Sequence, residues 1–351
     1  MSGKKYVIDG LFLTQPITGI QRYAFEITNE LDKIAKQGEI EIAVPQNAEI
    51  NASFTNIPII RTGKTGGLLW EQTDYARYLR KNHSLAIGFT NVVPLLYRHG
   101  VVAIHDISYK VNPSFFVSAK DRLSALWHRL HYLAAAKSDM EIITVSNFSK
   151  GEIQKYYSIP EQRIHVAYDA WQHMENVKAG EDTFAKYPML KKGAYYFAMA
   201  SLMPNKNFKW IVEAARSHPN ETFAIAGSGR MSREGLSNLF LLGYVSDADA
   251  KTLMAGCKAF LFPTLYEGFG IPPLEAIACG APEIIVSDTP CMHEVYGDAA
   301  NYLNPDDAGE LIVTGRIGSQ RAAIERYSWA ASAKRVYDIL TTKLTVPVTS
   351  P

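Results

Sequence analysis

Cysteine is scarce in this chain. Cys257, Cys279 and Cys291 are all it has among 351 residues, an odd number without ligand spacing. That excludes a disulfide framework and a cysteine-rich zinc site, and it points to a reducing, cytoplasmic compartment. Long apolar runs are missing too, since none approaches the roughly 18 residues that cross a bilayer. Lys4-Lys5 leads into a short strand-like run rather than a signal-peptide core, so any membrane contact is expected to be peripheral. Neither charge dominates: 36 Lys and Arg face 35 Asp and Glu, a formal net charge of +1. Residues 1–168 carry 19 basic and 15 acidic side chains and the remainder 17 and 20, so neither half has the basic excess of a nucleic-acid-binding domain. His293-Glu294 has no second histidine at metalloprotease spacing. Gly227-Ser228-Gly229 is a fragment of a dinucleotide fingerprint and follows the second strand of its series, so a nicotinamide cofactor is not indicated.

What remains is an ordinary globular composition, 47% apolar and 20% charged, in a chain long enough for two cores. Short apolar runs at Tyr6–Asp9, 40–44, 57–60, 85–87 and 101–104 alternate with helical patterns, which reads as α/β with parallel sheets. Residues 167–193 have few apolar runs and read as a linker, after which Tyr195–Ala200 begins a second α/β series. The expected domains are 1–168 and 169–327.

The most informative stretch is Pro263 to Gly280. An apolar strand, Ala259–Phe262, runs into Gly268-Phe269-Gly270, a sharp turn that brings the backbone close to a ligand. Pro272 and Pro273 open a helix and Gly280 closes it. The positive end of that helix then points out of the carboxyl edge of a parallel sheet, a natural phosphate site. Glu267 and Glu275 bracket the helix start as acceptors for sugar hydroxyls. The stretch reads as a site for a phosphorylated sugar.

Glutamate, seven residues, glutamate, set around Gly-Phe-Gly and Pro-Leu-Glu and followed by Gly-Ala-Pro, resembles the donor motif of family 4 retaining glycosyltransferases of the GT-B fold. The resemblance runs along nearly the whole chain and is most specific at 201–207 and 263–304. It implies two Rossmann-like domains with an interdomain cleft, the first receiving the acceptor and the second binding a nucleotide-sugar, with a final helix, 328–351, crossing back to the first. It also implies retention of anomeric configuration.

By the same resemblance, Lys206 clamps the diphosphate, Glu267 positions the sugar, Gly268, Phe269, Gly270 and Ile271 contact its hydroxyls and phosphate, and Glu275 holds the ribose. The backbone at Tyr244 and Val245 would meet the nucleobase. Ser201 and Asn205 stand where many family members carry arginine, which leaves Lys206 without its basic companions, and Arg230 is a candidate substitute. In the first domain, Gly19 resembles the loop glycine that approaches the donor phosphates. His105-Asp106, ending a strand, resembles the family's histidine facing the sugar.

Asp247-Ala248-Asp249 has two readings, a divalent-ion ligand pair or acidic residues in a first helical turn after Ser246. The second is preferred, so no metal and no cofactor are expected. Segment 115–137 also has two: Leu123, Leu126, Trp127, Leu130 and Leu133 with Lys120, Arg122 and Arg129 suit either an anionic membrane surface or a core-facing stripe.

The function expected is transfer of a sugar from a nucleoside-diphosphate sugar to a hydroxyl of a glycan or lipid-linked acceptor in cell-surface polysaccharide synthesis, at the inner face of the membrane. The alternatives are another GT-B enzyme, an epimerase or phosphorylase, and a non-catalytic sugar-nucleotide-binding subunit.

Overall fold

The computed structural model describes residues 5–199, 203–227, 232–309, 311 and 319–343. The described chain forms two compact units, one reaching to Asp169 and including the last helix, the other spanning Ala170–Ser328.

The first unit is built on seven strands: β1 (Tyr6–Asp9), β2 (Ile40–Pro45), β3 (Ile59–Thr62), β4 (Leu85–Gly88), β5 (Gly100–Ala103), β6 (Glu141–Thr144) and β7 (Ile164–Val166). All pairs are parallel, in the order β3-β2-β1-β4-β5-β6-β7. Helices cover both faces of such a sheet, which is why its central strands are continuous apolar runs rather than alternating ones. The second unit has six parallel strands: β8 (Tyr195–Met199), β9 (Thr222–Ala226), β10 (Leu239–Gly243), β11 (Ala259–Phe262), β12 (Ile284–Ser287) and β13 (Asn301–Leu303). Their order is β10-β9-β8-β11-β12-β13. The winding therefore reverses between β1 and β4 in one sheet and between β8 and β11 in the other. Loops leaving the carboxyl ends of strands at such a reversal diverge and leave a crevice for a ligand.

Helix α1 (Gly19–Ile34) buries Tyr23, Ala24, Ile27 and Leu31 at helical spacing. Helix α2 (Ala119–Ala136) starts at a Ser118–Asp121 capping box. It buries Ala125, His131, Tyr132 and Ala135, and leaves Leu123 at 69%, Leu126 at 54% and Leu130 at 44% exposure. Of the two readings of its leucine stripe, the core-facing one is thereby overturned. Tyr132 and Ala135 fill the space against Val102, Ile104 and Ile142, and the leucines are left outside.

Helix α3 (Ile271–Cys279) follows β11. Helix α4 (Trp329–Lys343) packs in the first unit: Tyr6 Oη donates to the Leu340 carbonyl at 2.7 Å, Ser332 Oγ to that of Tyr168 at 2.7 Å, and Tyr23 meets Trp329 edge-on at 6.0 Å. The stretch expected to be a plain linker is instead tied into the second unit from Ala170 on. Trp171 Nε1 donates to the Ile324 carbonyl at 3.0 Å, and Lys251 Nζ to those of Met174 and Val177 at 2.8 Å.

Candidate active site

In the second unit, Lys206 leaves the end of β8 and Glu267 the end of β11, the two strands at the winding reversal. Lys206 sits in a short turn, Pro204–Lys206, rather than inside a helix, and Asn207 follows in left-handed geometry, its side chain donating to the Pro305 carbonyl at 2.8 Å. Lys206 Nζ reaches Glu267 Oε1 at 2.7 Å and lies 5.5 Å above the Phe262 ring. Asn205 joins the same two loops, its carbonyl accepting from Leu265 N–H at 2.8 Å and its amide donating to the Tyr266 carbonyl at 3.4 Å.

Gly270 turns the chain into α3 with φ of +86°. A Cβ there would meet Met292 Cε at 2.8 Å and Phe262 Cε1 at 3.0 Å, so only glycine fits. Tyr296 pins this turn: its hydroxyl donates to the Gly270 carbonyl and accepts from Leu274 N–H at 3.1 Å. The start of α3 therefore offers few free N–H groups. Of the first four donors of α3, Pro272 and Pro273 supply none and Leu274's is taken, leaving that of Ile271. The dipole of α3 remains. Phe269 is buried beneath the loop, edge-on to Tyr327 at 5.0 Å.

Glu275 lies on α3 with its Oε1 2.7 Å from Nε2 of His173, a histidine only 4% exposed. Sequence reading missed His173, which comes from the turn Gln172–Met174 ahead of β8. Tyr244 is 85% exposed and Val245 buried after Gly243, whose carbonyl accepts from Gly227 N–H at 2.8 Å. Ser201 and Arg230 lie outside the described residues. Asp249 N–H donates to Ser246 Oγ at 3.1 Å, the cap of helix Asp247–Gly256, and its carboxylate accepts from Thr183 Oγ1 at 2.7 Å. Thr183 and Ser246 hold this carboxyl below its usual range.

In the first unit, Gly19 is the first residue of α1 after Thr18. His105 is buried at the end of the run from β5. Asn91 Oδ1 accepts from its N–H at 2.8 Å, its Nε2 lies 2.8 Å from the Phe89 carbonyl, and Tyr23 meets its ring edge-on at 4.8 Å. Burial pushes its pKa down to about 4. The ring is thus neutral, and because a carbonyl only accepts, the proton sits on Nε2 and Nδ1 is an acceptor. Asp106 Oδ1 accepts from Ser108 N–H at 2.7 Å, starting the turn Ser108–Val111.

A second carboxyl pair escaped sequence reading altogether. Asp9, at the end of β1, accepts from Leu11 N–H at 3.0 Å, and the carboxyl of Glu71 lies beside it. Glu71 opens a π-helical turn, Glu71–Tyr75, a rare form that marks functional positions in other proteins. Burial and the neighbouring Asp9 raise the Glu71 pKa well above its ordinary value.

Comparison with known proteins agrees with this geometry. Residues 180–340 match the family model "Glycosyl transferases group 1". The chain is 27% identical to the O-antigen chain mannosyltransferase B of Escherichia coli, over 86% of this chain and 88% of the relative. It is 26% identical to the O-antigen chain mannosyltransferase RfbU of Salmonella typhimurium, over 83% and 84%. Among solved structures, Anabaena Alr3699/HepE in complex with UDP-glucose superposes with a TM-score of 0.69 at 17% identity, covering 97% of this chain and 99% of that one. The six- and seven-stranded sheets are those of the GT-B fold, and the similarity to group 1 glycosyltransferases is to a family model that covers a little under half of the chain and to relatives that run along most of it.

Proposed function

We propose that the protein transfers a mannosyl residue from a nucleoside-diphosphate sugar to a hydroxyl of a growing cell-surface polysaccharide, retaining the anomeric configuration and using no metal. The observation that carries the reading is the meeting of Lys206, Glu267 and the start of α3 at the β8/β11 reversal, where one ligand can present phosphate and sugar together. The donor sugar is taken from the two O-antigen mannosyltransferases, whose lengths the chain spans almost fully.

In this reading Lys206 and the positive end of α3 hold the diphosphate, and Glu267 accepts from sugar hydroxyls. Glu275, oriented by His173, accepts from the ribose, and the backbone at Tyr244 and Val245 meets the base. The acceptor oxygen attacks the anomeric carbon from the face the phosphate leaves; the new C–O bond forms as the C–O bond to phosphate breaks, and a phosphate oxygen takes the hydroxyl proton. Lys206 and the dipole offset the negative charge growing on the diphosphate, electrostatic work that a metal does elsewhere. In this reading the exposed leucines of α2, with Lys120, Arg122 and Arg129, meet an anionic membrane surface.

The test is an assay of nucleoside-diphosphate-mannose with saccharide and lipid-linked acceptors in the presence of a chelator. The reading expects sugar to leave the nucleotide only when an acceptor is supplied, with the configuration kept. Turnover that needs added magnesium or manganese removes the metal-free part, and release of sugar without an acceptor removes the transferase assignment.

A further inference from the structure

A cavity of about 610 Å³ lies in the first unit beside α2. Hydrocarbon makes most of its wall: Ile20, Leu68, Val92, Leu126 and Leu130 contribute, with Leu68, Leu126 and Leu130 each 44% exposed or more at its rim. Glu71, 1% exposed, faces it from within. Burial and the neighbouring Asp9 push that carboxyl's pKa well up, which favours its neutral form. Trp127 lines the same cavity, and its indole N–H is buried without an acceptor. The occupant that suits this wall is mostly hydrocarbon.

Leu126 also walls a second cavity, about 330 Å³, into which Arg122 and Arg129 project beside Tyr109 and Phe116. Lys120 stands at the edge of the first. Apolar and cationic spaces thus adjoin across a single side chain. Such a pair fits a molecule with a hydrocarbon chain at one end and an anionic head at the other.

We infer that these adjoining cavities bind the lipid carrier of the acceptor, its hydrocarbon chain against Leu68, Leu126 and Leu130 and its phosphate beside Arg122 and Arg129. The inference rests on the transferase reading for the word acceptor, but binding itself is independent of turnover. Chain burial at about 0.8 kcal/mol per methylene corresponds to about fourfold in affinity for each one fully buried.

Calorimetry of the full chain with butyl and octyl phosphate, below micellar concentrations and without vesicles, tests it. Octyl phosphate is expected to bind at least tenfold tighter than butyl phosphate. Leu68→Arg, a change at an exposed position that should not disturb folding, is expected to abolish that difference, and Arg122→Gln with Arg129→Gln to weaken both phosphates alike. Equal affinity for the two chain lengths overturns the inference, as does a chain-length effect that survives both variants. Nucleoside-diphosphate binding by the second unit, measured in the same samples, shows that each variant is folded. If alkyl phosphates behave as expected and no nucleotide-sugar is turned over with any acceptor, the transferase reading fails while the lipid site stands.

Discussion

Lys206 Nζ and Glu267 Oε1 lie 2.7 Å apart, so the cation expected to hold phosphate and the carboxylate expected to hold sugar neutralise one another before any donor arrives. The pair is partly buried, with side-chain exposures of 28% and 14%, and truncating Lys206 removes a cation from beside the Glu267 carboxylate. Lys206→Ala is accordingly expected to weaken nucleoside-diphosphate binding about tenfold to a hundredfold, from about 1.5–3 kcal/mol for a lost charge-assisted bond. Lys206→Ala with Glu267→Gln should regain stability relative to Lys206→Ala alone without regaining affinity, as measured by thermal unfolding and titration of the nucleotide.

His173 is expected to act through Glu275, which it touches at 2.7 Å. His173→Ala should raise the donor's KM about tenfold with little change in kcat, since a ribose contact is alike in ground and transition states. His173→Gln, which keeps a donor, should restore part of the loss. A fall in kcat with unchanged KM would contradict the positioning role.

Stability should depend on pH in two opposite senses. Burial depresses His105, His128 and His131 to about 4, so these rings stay neutral in the fold while the unfolded chain takes up protons near 6.5. Stability is therefore full above about pH 6.5 and falls as pH drops toward 4, by roughly 3 kcal/mol per independent histidine. Glu71 works the other way, because its raised pKa means that the unfolded chain releases a proton the fold retains. Its contribution is present below about pH 4.5 and is lost as pH rises through the raised value. Glu71→Gln, which keeps a donor toward Asp9, should gain stability over the natural protein at pH 8 more than at pH 5, measured by urea unfolding.

The parts of the site that sequence revealed are those encoded locally. Gly268, Gly270, the two prolines and Gly280 punctuate one short stretch, and backbone geometry at each follows from the residue itself. The contact of His173 with Glu275, 102 residues away, depends on how the chain returns to the second sheet, and no local pattern records it. Asp9 and Glu71 likewise meet only because β1 and a later turn share a sheet edge. The leucine stripe of α2 was ambiguous because amphipathicity has a sign only once the other face is known. Here Tyr132 and small alanines took the core side.

For the membrane contact, Trp127→Ala with Arg122→Gln and Arg129→Gln should reduce cosedimentation with anionic vesicles roughly tenfold or more, at about 1 kcal/mol per basic residue near the surface. Unchanged partitioning at low salt would contradict it.

Glu267 and Glu275, flanking the start of α3, are expected to hold different ends of one donor. Calorimetry with the free nucleoside diphosphate, which has ribose and phosphates but no sugar, separates them most directly. Glu275→Gln is predicted to weaken that ligand about tenfold to a hundredfold, from about 1.5–3 kcal/mol for a lost charge-assisted bond. Glu267→Gln is predicted to leave its affinity unchanged or to tighten it, because Lys206 is released toward the phosphates. Equal loss in both variants, or no loss in either, would contradict the account.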